Sequence, residues 1–247
     1  EAMVPRHSIR LENVSFRYPD SRQDTLPGLS LTIPAGRAVC LAGPTGAGKS
    51  TTVDLLLGLL PPSAGGITVD DTLAAPGNLR AWQGNVGYVP PVIYLIDDTI
   101  ASNIALGTEP GDIDYLRLER AARVAELHDF VVNELEAGYQ TVVGGRGARL
   151  SGGQRQRIGI ARALYRDPAV LILDEATNEL DLATEARILA SLRALGGRTI
   201  VFVSHKPSVA TFCDEVVVLE GGRIAAQGSY DELTAPGSRH RALLQET

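Results

Sequence analysis

The sequence predicts an α/β fold, with a mainly parallel central sheet, an antiparallel β-subdomain toward the N-terminus and a helical subdomain inserted further along. Three observations carry this expectation. Residues 169–173 and 199–203 are short, apolar and rich in β-branched side chains, as strands buried on both faces are, and helical patterns flank each of them. Residues 9–18 and 29–33 mostly alternate apolar with polar positions, the period of half-buried strands at an antiparallel edge. From about residue 97 to 166 strand signals fade, and helix-forming stretches such as DYLRLERAARVAEL take over.

In chain order, residues 1–8, EAMVPRHS, read as a linker or the remnant of a longer protein, and residues 9–247 as one domain. With 247 residues and 44% apolar content, the chain can bury a sizeable core. After the two alternating strands, residues 37–42 read as a buried strand. A glycine-rich turn follows, and then STTVDLLLGLL, an apolar helix that Pro61 and Pro62 should halt. GNVGYV, residues 84–89, is a further strand. Beyond the helical stretch and the two apolar strands, EVVVLEGGRI reads as a hairpin turning at Gly221 and Gly222.

Charge narrows the choice of partners. The net charge is -6 with both signs scattered, so there is no basic stripe for nucleic acid and no polybasic run for a lipid surface. Cys40 and Cys213 lie far apart in apolar contexts, which fits reduced core thiols and a cytosolic setting. No apolar run reaches the ~18 residues of a spanning helix, and the N-terminus lacks a signal-peptide pattern. The domain is expected to be soluble when isolated, with any membrane part on another chain or segment.

GPTGAGKS, residues 43–50, fits the G-x-x-x-x-G-K-[ST] pattern and lies between a predicted strand and a predicted helix, the context that gives the match its meaning. A P-loop NTPase core is therefore expected. Gly43, Gly46 and Gly48 let backbone N–H groups turn inward around phosphates, with Thr45, Ala47 and Thr51 completing the cradle. The helix that follows presents its positive end, Lys49 adds a cation at the β/γ oxygens, and Ser50 is placed to ligate magnesium. Lys49 and Lys206 are the only lysines among 23 basic residues, which makes a lysine at this point hard to ascribe to composition.

AVLILDE, residues 169–175, supplies a buried strand ending in two carboxylates. Asp174 at its tip could reach magnesium through the ion's water shell, leaving Glu175 to orient water toward a γ-phosphate as a general base. Two acids after a strand are by themselves commonly a solvated loop; the cradle upstream is what gives this pair meaning. TIVFVSH, residues 199–205, repeats the design. Its strand delivers His205 to the edge where phosphates should sit, and an imidazole there can donate to the γ-phosphate.

LSGGQRQR, residues 150–157, resembles the signature sequence of ABC ATPases. The similarity runs from about residue 9 to 244, with the motifs in family order: Tyr18, GPTGAGKS, LSGGQ, AVLILDE, then NELD and His205. The resemblance implies ATP and Mg2+ as cofactors and Tyr18 as the aromatic platform for adenine. It also implies a head-to-tail pair with a second nucleotide-binding domain, identical or not. In such a pair Ser151, Gly152, Gly153 and Gln154 of one protomer, with Asp181 of NELD, close over the ATP of the other. Ser151 is also a good N-cap for the helix after it, whose dipole and amides would face an anion. A transmembrane domain on the same or another chain, and a place at the cytoplasmic face of a membrane, follow from the same likeness.

ENVSFRYP, NLRAWQGNVGYVP, TVVGGRG and GSYDEL look like the exporter branch, although Gly145 stands where TVVGGRG-like segments often carry an acid. One departure bears on mechanism. After GNVGYV the family normally has Pro then Gln, a glutamine whose side-chain oxygen reaches magnesium and the water; this chain has Pro90 and Pro91. Proline supplies no side-chain oxygen and fixes φ. The sequence therefore supports an ATPase driving transport, with a nucleotide-gated module of slow or absent hydrolysis as the alternative. A soluble ATPase acting on DNA or the ribosome is disfavoured by the absence of a long coiled coil, a second cassette or a basic face.

Overall fold

Residues 3–147 and 149–245 are described by a computed structural model, in which the chain divides into two units. The first comprises Glu1–Val86, Ala169–Asp174 and Gly197–Thr247; the second comprises Gly87–Pro168 and Glu175–Gly196.

In the first unit, β1 (Ser8–Phe16) pairs antiparallel with β2 (Leu26–Pro34) and with β4 (Ala64–Val69), and β5 (Thr72–Leu73) completes a sheet of order β2-β1-β4-β5. Ile9, Leu11, Val14 and Phe16 of β1 are all buried. The skipped beat between Leu11 and Val14 is a register shift at Asn13, which takes φ 48°. A bulge of this kind lets a strand whose alternation breaks keep one apolar face inward.

The second sheet of this unit is built on β3 (Ala38–Ala42), buried throughout, which runs parallel to β8 (Thr199–Val203) and β9 (Glu215–Glu220). β7 (Val170–Asp174) runs parallel to β8, and β10 (Arg223–Gly228) turns back antiparallel on β9 through Gly221 and Gly222. The order is β10-β9-β3-β8-β7. β6 (Val86–Val89) starts beside β7, where the Val170 amide donates to the Asn85 carbonyl at 3.0 Å.

α1 (Lys49–Leu56) ends short of the prolines expected to stop it. Gly58 takes φ +67° just past the last turn, the left-handed residue that ends helices before any proline is needed. Trp82 of α2 (Leu79–Gln83) is 1% exposed, and its indole N–H donates to the Leu56 carbonyl at 2.6 Å, satisfying one of the acceptors a helix end leaves open. Three short helices, α8 (Pro207–Phe212), α9 (Tyr230–Thr234) and α10 (Arg241–Gln245), complete the unit. Cys40 and Cys213 are buried and unbridged.

The second unit is helical. It holds α3 (Ile100–Ile104), α4 (Tyr115–Val124), α5 (His128–Glu134), α6 (Gly152–Tyr165) and α7 (Leu182–Ala194). α6 is its spine, packed against α3 and α4. Arg162 of α6 donates to the Asn103 carbonyl at 2.8 Å, and the fully buried Asn103 amide donates in turn to the carbonyls of Ile96 and Thr99. The expected helical stretch of residues 97–166 falls inside this unit. The unit begins earlier, at Gly87, and includes residues 175–196, because α7 packs on α4 and brings the chain back after β7. Among the described residues, no helix is long and apolar enough to cross a membrane.

Candidate functional site

Parallel strands end together, and the register of this sheet brings the candidate residues of the first unit to one edge. Leu41 of β3 pairs with Val203 of β8, and Val203 with Asp174 of β7. At roughly 4.8 Å per strand, the tips of β3 and β7 stand about 10 Å apart with β8 between them. Gly43 follows Leu41 by two residues and His205 follows Val203 by two. The glycine-rich turn, Asp174 and His205 therefore share the carboxyl edge of the sheet, where ligands of open α/β sheets bind.

The turn is tightly specified. Gly43 has φ 143°, and a Cβ there would collide with the Leu219 carbonyl of the neighbouring strand β9, so only glycine fits. Gly46, φ +79°, faces open space, and Pro44, Thr45, Gly46 and Ser50 are exposed. Ala47 is buried; its amide donates to the Pro44 carbonyl and its carbonyl accepts from Gly222. Gly48, at φ 99°, is the N-cap of α1. No side chain caps this helix and no acid occupies its first turn, so its first amides and positive end are left to an external anion. Side-chain oxygens cap α3, α4, α6, α7 and α9, whereas the shorter α2, α5 and α8 lack such a cap as α1 does.

Lys49 is 8% exposed, and its ammonium donates to the carbonyls of Gly43 at 2.6 Å and Pro44 at 3.0 Å. The cation is thus held inside the loop's curve. Thr51 accepts or donates at 3.1 Å to the Tyr18 hydroxyl. The Tyr18 ring, 38% exposed, sits edge-on to Phe16 with centroids 4.9 Å apart. This leaves a partly open aromatic tied to the first turn of α1. Asp174 is 6% exposed, Ser50 and His205 are exposed.

The remaining candidates belong to the second unit. Glu175 has φ 51°, a left-handed conformation that costs a non-glycine residue on the order of 1–3 kcal/mol and persists only where its surroundings impose it. Here they do: the Glu175 carbonyl accepts from the Asn178 amide at 3.1 Å and from the Gln156 side chain at 3.4 Å, and its carboxylate accepts from the Asn178 side chain at 3.2 Å. Ser151 caps α6 in a capping box with Gln154, the Ser151 amide donating to Gln154 at 2.7 Å and the Gln154 amide to Ser151 at 3.2 Å. Gly152 and Gly153 have a reason inside the chain. A Cβ on Gly152 would collide with the Glu179 carboxylate, and one on Gly153 would lie 3.0 Å from the Glu179 carbonyl oxygen. Asp181 is exposed and caps α7, accepting from the Thr184 amide at 3.0 Å; that amide and the Thr184 hydroxyl hold its carboxyl below the usual range. Pro91 is exposed two residues past the end of β6.

Sequence reasoning passed over Gln156. Its signal is a long polar side chain one turn from Gly152 on the same helix face as Gly159, Ile160 and Ala163, all buried or boxed in.

Chemically, the first unit offers a glycine-rich turn that encloses a buried cation, a partly open aromatic ring, and a hydroxyl and a carboxylate whose oxygens suit a hard divalent cation. A family model described as ABC transporter matches residues 26–178. The chain is 40% identical over 234 residues to an ATP-dependent lipid A-core flippase of Cupriavidus pinatubonensis, covering 94% of this chain and 40% of that protein. It is 40% identical over 240 residues to P-glycoprotein 14 of Caenorhabditis elegans, covering 96% of this chain and 18% of that one. Among solved structures it is similar to a bacterial Atm1-family ABC exporter with ATP bound, with a TM-score of 0.90 and 38% identity over 97% of this chain and 42% of the exporter chain. The chain thus spans about 40% of the length of the flippase it matches.

Proposed function

The chain belongs to the ABC transporter family, and from that premise we propose that it is the ATP-hydrolysing domain of an exporter, working as one half of a head-to-tail pair that encloses two nucleotides. One observation carries the reading: α1 is left uncapped behind a glycine turn that already holds the Lys49 ammonium, at the sheet edge shared with Asp174 and His205.

In this reading adenine lies on Tyr18, and the phosphates are held by the amides of residues 43–51 and by Lys49. Lys49 exchanges its loop carbonyls for β/γ oxygens. Ser50 and Asp174 would hold Mg2+, an oxygen-only donor set that fits an ion retaining several waters, and the ion would supply positive charge to the phosphate oxygens. Glu175 takes the proton of a water whose oxygen bonds to the γ-phosphorus, while the bond from that phosphorus to the β-phosphate oxygen breaks and ADP departs. His205 donates to the γ-phosphate. Ser151, Gly152, Gly153, Gln154 and Asp181 serve the nucleotide of the partner protomer, and release of phosphate opens the pair. A transmembrane domain supplies the path, placing the ATPase at the cytoplasmic face.

The test is Glu175→Gln. Losing the base should slow phosphate release at saturating Mg-ATP by about 100-fold or more, with ATP binding retained and an ATP-bound dimer visible in sedimentation. Release at the parent rate would remove Glu175 from this role. Pro91 keeps a second reading in play, a nucleotide-gated module with slow turnover, which predicts ATP-dependent dimers in the parent chain without release of phosphate.

A further inference from the structure

We propose that Gln156 is a positioning residue for Glu175, tying the conformation of the base to the helix that begins with Ser151 on the same chain. The inference rests on the reading of Glu175 as the base.

Gln156 is 3% exposed and uses both ends of its amide on a single turn. Its Nε2 donates to the Glu175 carbonyl at 3.4 Å, and its Oε1 accepts from the Glu179 amide at 3.0 Å. An uncharged amide carries its donor and its acceptor on separate atoms, so one side chain serves both groups at once. The turn it spans is the one that needs holding, since Glu175 stands at φ 51°, and its carbonyl also accepts from the Asn178 amide at 3.1 Å. At its other end the clamp is rigid. Gln156 sits in the second turn of α6, whose first turn is locked by the reciprocal Ser151 and Gln154 bonds. A displacement of the α6 N-terminus is therefore passed to the Glu175 carbonyl through one side chain and two hydrogen bonds. In the dimer, this links the nucleotide of the partner, which Ser151 and Gly152 would meet, to the base beside the chain's own nucleotide.

The experiment measures ATP turnover by the whole chain for the parent, Gln156→Ala and the near-isosteric Gln156→Glu, which keeps the acceptor but turns an oxygen toward the Glu175 carbonyl. Each is then made in the Glu175→Gln background. Misplacing a base by a fraction of an ångström to 1 Å lowers turnover by roughly 10- to 100-fold. We expect kcat to fall in that range in both variants while KM for ATP holds, with melting temperatures of Gln156→Glu and parent close. In the Glu175→Gln background, neither substitution should lower the residual rate further. A structural role alone would lower the melting temperature and leave kcat per folded molecule unchanged, and that result overturns the proposal. So does an equal fold-loss in both backgrounds, because Gln156 would then act independently of Glu175. If Glu175→Gln itself turns over like the parent, the base reading fails first and the inference with it.

Discussion

Lys49 illustrates how much one side chain decides. Its ammonium is buried in the curve of the glycine turn, bonded to Gly43 and Pro44 carbonyls that keep a charge acceptable away from water. Lys49→Ala should weaken ATP binding by about 1.5 to 3 kcal/mol, the contribution of a charge-assisted phosphate contact, or roughly 10- to 150-fold in Kd. Calorimetric titration reads this directly, and an unchanged Kd would show that the backbone amides suffice. Pro91 is the opposite case, a residue that withholds a group. Pro91→Gln should raise turnover per bound nucleotide modestly and leave ATP affinity in place, since magnesium accepts water in an octahedral position and what is regained is orientation of the nucleophile. Pro90 still biases the backbone toward extended geometry, which limits the gain. Equal turnover of variant and parent at saturating Mg-ATP would make Pro91 neutral.

At the scale of elements, the contrast between α1 and α6 is one of capping. α6 closes its own N-terminus with Ser151 and Gln154, whereas α1 begins on Gly48 with no side-chain cap. The glycines before α1 are not equivalent. Gly43→Ala drives a Cβ into the Leu219 carbonyl of an adjacent strand, which has no freedom to move aside, while Gly46→Ala meets open space and pays only for its left-handed φ. Thermal and denaturant unfolding should find Gly43→Ala destabilised by about 3 kcal/mol or more, and Gly46→Ala by about 1 kcal/mol. Equal losses would mean that strain, not the β9 contact, decides both positions.

For the whole molecule, the residues that the proposed reading uses are distributed over both units. Tyr18, residues 43–51, Asp174 and His205 belong to the first; Ser151–Gln154, Glu175 and Asp181 belong to the second. Hydrogen exchange tests the proposal that both sets serve nucleotide. In dilute chain, Mg-ATP should slow the amides of residues 43–51 and leave those of residues 151–155 as they are. In concentrated Glu175→Gln, where pairs form, residues 151–155 should slow as well. Protection of residues 151–155 that does not depend on concentration would argue against a site shared between protomers.

Local structure was legible in the sequence. The glycine turn between a strand and a helix, the apolar runs ending in Asp174 and His205, and the Gly221–Gly222 hairpin all depend on residues close in sequence, whose φ preferences and hydrophobic period act within a few positions. Two features depended on residues far apart. The helical unit reaches past β7 to take in residues 175–196, and no composition shift marks that return, because α7 joins it through packing rather than through its own sequence. Gln156 looked like one more polar residue of a helix. Only the folded chain places Glu175 and Glu179, 19 and 23 residues further on, at the two ends of its amide. Hydrogen bonds of that span are fixed by how α6 lies against the turn after β7, so the sequence determined which groups were present and the tertiary structure decided which of them meet.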